Sequence, residues 1–250
     1  MRDLKVCIGA AAACVLLCSL SVRAPAETPE PLHDGAIEKA IHDYILAHPE
    51  VLIQSLRIAK EREQDRLAAV TKSNIASFRK ELADDTNVPI FGNPAGDVTI
   101  FEFFDYRCPY CRQVEPFLQS LVQSDPGVRI VQKQFPILGP ESVYAARVAL
   151  AALKQGKHKQ FHEALMARRS NFDQATILKV AEEVGLDMDR IKVDINNPEV
   201  DSELRRTKEI ATALRLSGTP AFVIGTELVP GATDFATLKS LVEDARHPVN

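Results

Sequence analysis

The stretch FEFFDYRCPYC, residues 101–111, decides how this chain folds. It continues a run of β-branched and aromatic residues that predicts a buried strand over Val98–Phe104. The strand is expected to end at Asp105, and a helix is expected to begin near Cys108. This order places two cysteines, three positions apart, at the N-terminal end of a helix that follows a buried strand.

The first 26 residues have the pattern of a secretion signal. Arg2 and Lys5 give a basic start, an apolar run extends from Val6 to about Leu20, and Ala24-Pro25-Ala26 supplies small residues for cleavage. An uncleaved membrane anchor is the alternative. It is disfavoured because the run falls short of the about 20 residues that a membrane-spanning helix needs. The sequence therefore predicts an exported protein.

Export and removal of the signal would determine which cysteines remain in the mature protein. The chain has five, and Cys7, Cys14 and Cys18 fall within the predicted signal. The mature chain would keep Cys108 and Cys111, in an oxidising compartment where a dithiol is either a structural bridge or a redox catalyst. A cytosolic metal site is disfavoured accordingly.

Composition narrows the function further. The chain has 250 residues and a formal net charge of -4, a mildly acidic balance that argues against nucleic acid as a partner. A chain of this length buries enough apolar surface to fold without disulfide staples. It contains no phosphate loop, dinucleotide fingerprint or hydrolase triad, so no cofactor is expected.

Residues 27–88 are predicted to form an N-terminal helical extension. Apolar residues recur at helical spacing from Ala36, His48-Pro49 interrupts the pattern, and a second helix is predicted from Pro49 to about Ala83. Charges surround a thin and irregular apolar seam. The extension is either an arm that folds back on its own domain or an oligomerisation stalk, and the thin seam favours a stalk formed by residues 36–84.

The rest of the chain, residues 89–250, is predicted to be one catalytic domain. Its boundary lies in the proline- and glycine-rich segment Asp84–Asp97. After the first strand and helix, the pattern predicts these elements in order: a strand from Val128 to about Phe135, helices over Ser142–Leu216, a strand at Ala221–Ile224, another near Leu228 and Val229, and a helix from about Asp234 to Ala245.

This order resembles the thioredoxin fold as it is elaborated in the DsbA family. The resemblance rests on Cys108-Pro109-Tyr110-Cys111 and on Gly218-Thr219-Pro220, which stands about 110 residues later at the position of that family's cis-proline. It implies an α/β thioredoxin fold with a helical insertion at about 140–216, preceded here by the stalk.

The two cysteines are expected to have different roles. Cys108 faces the unpaired N–H groups and the positive dipole end of the helix, which stabilise a thiolate, so it is predicted to be the exposed attacking thiol. Cys111, one turn further along, is predicted to resolve the mixed disulfide.

Three further residues follow from the resemblance. Glu102 matches the buried acid that would move the proton of Cys111, although it could instead be a solvated strand residue. Thr219 and Pro220 match the cis-proline loop, whose backbone would pair with an extended substrate.

His158 and His162 lie four apart on a predicted helix, and we expect a packing or surface role rather than a metal site.

The extension and the threonine before the cis-proline make the chain most similar to the ScsC and Com1-type branch. That resemblance implies a periplasmic protein disulfide isomerase or reductase, a homotrimer, that acts on exported proteins and receives electrons from a membrane thiol-disulfide reductase. Two alternatives are a monomeric dithiol oxidase and a Cu(I)-binding thiol protein for copper tolerance.

Overall fold

A computed structural model describes residues 34–82, 88–168 and 172–247. The predicted signal peptide, with Cys7, Cys14 and Cys18, lies outside these residues, as does residue 83, where the second helix was expected to end. Within the described residues, no helix is both long enough and apolar enough to cross a membrane.

Three helices precede the sheet: α1 (Asp34–Ala47), α2 (Pro49–Ser77) and α3 (Arg79–Leu82). The break at His48-Pro49 falls where the sequence predicts it. The second helix is less continuous than predicted, because Phe78 interrupts it. Ile75 and Leu82, on either side of the interruption, are both buried.

Contacts divide the chain into two compact units, Met1–Ile58 and Ala59–Asn250. The second half of α2 therefore belongs to the catalytic unit. Ile75 and Leu82 join a buried cluster with Phe103 and Val223 of the sheet. Residues 59–82, which the sequence assigns to the stalk, supply part of the core of the catalytic unit.

The sheet has five strands: β1 (Ile90–Gly92), β2 (Val98–Phe104), β3 (Val128–Gln134), β4 (Ala221–Ile224) and β5 (Glu227–Pro230). They are ordered β1-β3-β2-β4-β5, with β2 and β3 parallel and the other pairs antiparallel. The sequence does not predict β1, because a three-residue strand among prolines and glycines has no detectable alternation.

Seven helices complete the described part of the catalytic unit: α4 (Pro109–Ser124), α5 (Pro140–Lys154), α6 (His158–Met166), α7 (Gln174–Glu183), α8 (Met188–Asp194), α9 (Pro198–Ala213) and α10 (Phe235–Arg246). The apolar sides of α4 and α10 pack on one face of the sheet. Helices α5 to α9 form an insertion between β3 and β4. The predicted fold class, an α/β fold with a helical insertion and an N-terminal helical region, is confirmed.

Candidate redox site

The turn between β2 and α4 is held by a buried carboxylate that the sequence analysis did not single out. Asp105 accepts hydrogen bonds from the backbone N–H groups of Arg107 (2.8 Å), Ile137 (2.9 Å) and Leu138 (3.0 Å). Its own carbonyl accepts from the N–H of Cys108 (3.0 Å). Asp105 thus fixes the start of α4 against the loop that follows β3.

Cys108 is the N-cap residue of α4, and Pro109 occupies the first turn. Proline suits this position because its missing N–H would have no partner in the helix. The Cys108 residue is only 3% exposed, so the expectation of an exposed thiol is wrong. The reason is the Gly218–Pro220 loop: Cys108 Sγ donates to the carbonyl oxygen of Thr219 at 3.1 Å.

The surroundings of Cys108 favour its thiolate. A hydrogen bond from the Cys111 side chain is the main cause that lowers the pKa of Cys108 to about 5. Backbone N–H groups of Tyr110 and Cys111, at the start of α4, act in the same direction, while burial opposes them. A thiolate is the nucleophilic form of cysteine.

The pKa of Cys111 is shifted in the opposite direction. Cys111 is fully buried, and burial is the main reason why its pKa lies far above the usual value. The hydrogen bond with Cys108 and the charge of Glu102 raise the pKa further. Both sulfurs are free in this structure, which therefore represents the reduced pair.

The loop opposite the pair has a cis peptide bond between Thr219 and Pro220. Pro220 is buried, and its carbonyl accepts a hydrogen bond from Gly231 N–H at 2.8 Å. This bond joins the loop to the end of β5. The structure thus brings together Cys108, Cys111, Thr219 and Pro220.

Glu102 lies in β2 and is fully buried, which excludes the alternative of a solvated strand residue. Burial is the main cause that raises the pKa of Glu102 to about 8, and the charge of Glu115 adds to the effect. A hydrogen bond from Gln132 Nε2 to Glu102 Oε2 at 3.2 Å opposes it. Glu102 Oε1 has no hydrogen-bond partner. A protonated Glu102 is therefore expected at neutral pH.

Sequence reasoning missed Gln132 and Glu115 beside Glu102, and it did not connect His162 with them. Gln132 is the direct partner of Glu102 across β2 and β3. His162 Nε2 lies 3.3 Å from Gln132 Nε2 and 3.3 Å from Glu115 Oε2. Burial opposes ionisation of Glu115, but the contact with His162 and the hydrogen bond from Gln119 together outweigh it and lower the pKa of Glu115. The position of Glu115, one turn after Cys111, was the one signal in the sequence that could have found it.

His158 and His162 are both buried within α6, and their rings stack at 5.6 Å between centroids. His162 also lies 3.2 Å from the hydroxyl of Tyr106. Burial, together with the charge of His162, keeps the pKa of His158 well below its usual value. Within the described ranges, no group of three or more His, Cys, Asp and Glu side chains is arranged to hold a metal ion. The two histidines pack inside the domain.

A reduced Cys-x-x-Cys pair at a helix N-terminus, facing a cis-proline loop on a five-stranded mixed sheet, is the arrangement of the thioredoxin-fold thiol-disulfide oxidoreductases. Residues 99–243 match the family described as the DSBA-like thioredoxin domain. The chain belongs to this family. Residues 35–66 match a second family, described as the copper resistance protein ScsC N-terminal domain.

Two solved structures are similar to the catalytic part. A thioredoxin-like oxidoreductase from Silicibacter pomeroyi DSS-3 is 44% identical, with a TM-score of 0.67, over 68% of this chain and 99% of that chain. The catalytic domain of Proteus mirabilis ScsC is 26% identical, with a TM-score of 0.64, over 70% of this chain and 98% of that chain.

A curated relative is much longer than this chain. The Na(+)/H(+) antiporter NhaA 3 of Salinispora tropica is 30% identical over 189 residues, which make up 72% of this chain and 29% of that protein. The similarity therefore concerns less than a third of the antiporter.

Proposed function

We propose that this chain is a periplasmic thiol-disulfide oxidoreductase that works as an oligomeric protein disulfide isomerase or reductase on exported proteins. The observation that carries the exchange chemistry is the placement of Cys108 at the N-terminus of α4 beside the buried Cys111, with opposite pKa shifts at the two thiols. One sulfur is held as a thiolate ready to attack, and the other is held as a thiol until a mixed disulfide exists.

The reaction begins when the Cys108 thiolate attacks one sulfur of a substrate disulfide. A Cys108–substrate disulfide forms, and the second substrate sulfur leaves as a thiolate. In isomerisation that thiolate attacks another substrate disulfide, a later thiolate displaces Cys108, and no net electrons are transferred. In reduction, Cys111 loses its proton and attacks Cys108, which releases the reduced substrate and leaves a Cys108–Cys111 disulfide.

Glu102 is proposed to help move the proton of Cys111 in the reductive branch: its ionised form, the minor form at neutral pH, accepts the proton, and the neutral form then releases it to solvent. The two groups interact electrostatically, since the charge of Glu102 raises the pKa of Cys111. A carboxyl with a pKa of about 8 changes its protonation state near physiological pH. Such a group is suited to proton transfer at that pH.

Oligomerisation is supported by the N-terminal unit. It leaves many large apolar side chains exposed, namely Ile37, Ile41, Tyr44, Leu46, Val51, Leu52, Ile53, Leu56 and Ile58. Clusters of exposed apolar side chains of this kind usually mark an interface. We propose that residues 36–84 include the contact surface of a homotrimer, in which several dithiols act on one substrate.

Export and the electron donor complete the proposal. The leader pattern of residues 1–26 supports periplasmic localisation. An isomerase needs a reduced Cys108 in an oxidising compartment, so a membrane thiol-disulfide reductase is proposed as its partner. A monomeric dithiol oxidase would instead rest in the oxidised state.

The test is the reactivation of a scrambled, disulfide-rich protein by the reduced full-length chain. We expect the wild type to restore native disulfides, Cys108→Ser to be inactive, and Cys111→Ser to retain part of the isomerase activity while losing reductase activity. An oxidase would instead reactivate the reduced substrate, and only when supplied in its oxidised form. Cu(I) binding without any thiol exchange would support the copper alternative.

A further inference from the structure

A groove of about 520 Å³ lies between the second half of α2 and the loop that leads to the cis-proline. Its volume is in the range of ligand sites, about 300–1,000 Å³. It is mostly apolar: Leu67 and Thr71 of α2 line it together with Leu214, Leu216 and Leu228. Arg215 is the one charged side chain among the described residues that line it.

The wall formed by α2 is firmly attached to the rest of the catalytic unit. Asn74 Nδ2 donates to the carbonyl of Ala213 at 2.7 Å, and Lys72 Nζ lies 2.9 Å from Glu227 at the start of β5. Ile75 is only 2% exposed. These contacts follow Thr71 directly on the same helix, so they hold this side of the groove against the rest of the catalytic unit.

The groove is continuous with the redox site. Thr219 lines it, and the carbonyl of the same residue accepts the hydrogen bond from Cys108 Sγ at 3.1 Å. Gly231, which donates a hydrogen bond to the Pro220 carbonyl, also lines it. A polypeptide whose sulfur has been attacked by Cys108 would pass over Thr219 and enter the groove.

The edge of the sheet lies beside the groove as well. Strand β5 pairs with β4 and is the last strand in the order. Leu228 and Pro230 of β5 line the groove. An extended chain beside an edge strand can bond to its backbone while alternate side chains enter pockets. The occupant that fits is thus an extended polypeptide with apolar side chains.

We propose that this groove binds the apolar residues that flank the reacting cysteine of a substrate protein, so that α2 forms part of the substrate site. The inference rests on the proposed thiol-disulfide exchange at Cys108. It assigns a specificity role to Leu67 and Thr71, which lie outside the unit that contains the exposed apolar residues of the N-terminus.

The test compares two disulfide-linked peptides, one with leucine and valine beside the cysteine and one with serine and asparagine there. With reduced full-length protein, we expect the apolar peptide to have a KM about tenfold lower than the polar one, at similar kcat. Leu67→Ala widens the groove and Thr71→Arg fills it. Each should reduce the preference to about twofold or less. Ala68→Arg, on an exposed position of the same helix, is the matched control and should keep the wild-type preference.

Equal KM values for the two peptides with the wild type, or an unchanged preference in both variants, would overturn the groove assignment. Reaction with a small aromatic disulfide separates this failure from a more basic one. A wild-type protein that does not reduce the small disulfide refutes the exchange chemistry itself. One that reduces it but shows no peptide preference refutes only the groove.

Discussion

At the N-terminal end of α4, the pKa values of two neighbouring thiols shift in opposite directions: that of Cys108 is lowered and that of Cys111 is raised. Cys108 receives hydrogen bonds from Cys111 and from the N–H groups of the first turn, whereas Cys111 is buried one turn further in. Hydrogen bonds, not charged neighbours, are the main causes that lower the pKa of Cys108. Arg107, next to Cys108, instead donates to the carbonyl of Leu138 at 2.5 Å and to Glu141 at 3.2 Å.

The first prediction concerns the thiolate of Cys108. In the reduced wild type, its alkylation rate by iodoacetamide should rise with a midpoint near pH 5. Cys111→Ala removes the main hydrogen-bond donor and should raise the midpoint by about one unit or more. Cys111→Ser retains a hydroxyl donor and serves as the control, with a smaller change. A wild-type midpoint near the usual value of about 8.5 would refute this account of the site.

The lowered pKa of Cys108 also makes the free energy of unfolding depend on pH. Since the folded-state pKa of Cys108 is depressed, its stabilising contribution is fully present above the unfolded value and is lost as the pH falls through about 5. Reduced protein should therefore lose stability relative to oxidised protein on acidification over this window. If the free energies of unfolding of the reduced and oxidised forms depend on pH in the same way, the lowered pKa of Cys108 is contradicted.

The second prediction concerns Glu102. Because its folded-state pKa is raised to about 8, its contribution favours folding at low pH and is lost as the pH rises from the unfolded value through about 8. Glu102→Gln cannot ionise, so the variant should gain about 4 kcal/mol relative to wild type between pH 5 and pH 9. Urea unfolding of the oxidised proteins measures this difference.

The control is Glu209→Gln, an exposed carboxylate of α9. It should follow the wild type across the same pH range. If Glu102→Gln also follows the wild type, the carboxyl is not held in the neutral form.

The sequence predicted the residues of the site that carry a motif, and missed those that depend on packing. Cys108, Cys111, Thr219 and Pro220 lie within two short motifs, so their identities were visible. The group around Glu102 depends on the pairing of β2 with β3 and on the packing of α6 over the sheet. No local pattern encodes those two arrangements.

At the scale of the element, α2 has two different halves. The first half, with Leu52 and Leu56, exposes its apolar residues, whereas the second half supplies Ile75 to the core. Helical periodicity predicted the helix and its start at Pro49. It did not separate the two halves, because an apolar side chain fits either a core or an interface.

The third prediction tests the second half of α2. Ile75→Ala should lower the free energy of unfolding of the catalytic unit by about 2–4 kcal/mol, since Ile75 is buried among Phe103, Ile210 and Val223. Val193→Ala, at an exposed position of α8, is the control and should change it by less than about 0.5 kcal/mol. An equally small effect of Ile75→Ala would show that residues 59–82 are not part of this core.

At the scale of the whole molecule, the fourth prediction concerns assembly. Light scattering should give a particle of three chains for the mature protein. Leu52→Asp and Leu56→Asp place charges in the exposed apolar surface and should produce monomers, because a buried unpaired carboxylate opposes association. Gln54→Asp, which adds the same charge at a polar exposed position, should dissociate the assembly much less. A monomeric wild type would refute the proposal that residues 36–84 form an oligomerisation stalk.

Assembly also decides between isomerase and oxidase. If several dithiols must act on one substrate, the monomeric variants should retain thiol exchange with small disulfides and lose most of their activity on scrambled protein. If the monomeric variants keep their activity on scrambled protein, isomerisation does not require the stalk, and the monomeric alternative is favoured.

Trapping of the covalent intermediate tests the central claim most directly. Reduced full-length Cys111→Ser protein, mixed with a scrambled substrate, should form a complex that dithiothreitol dissolves. Mass spectrometry should place the linking disulfide at Cys108. The absence of a complex with Cys111→Ser, or an equal yield of complex with Cys108→Ser, would contradict the assignment of Cys108 as the attacking thiol.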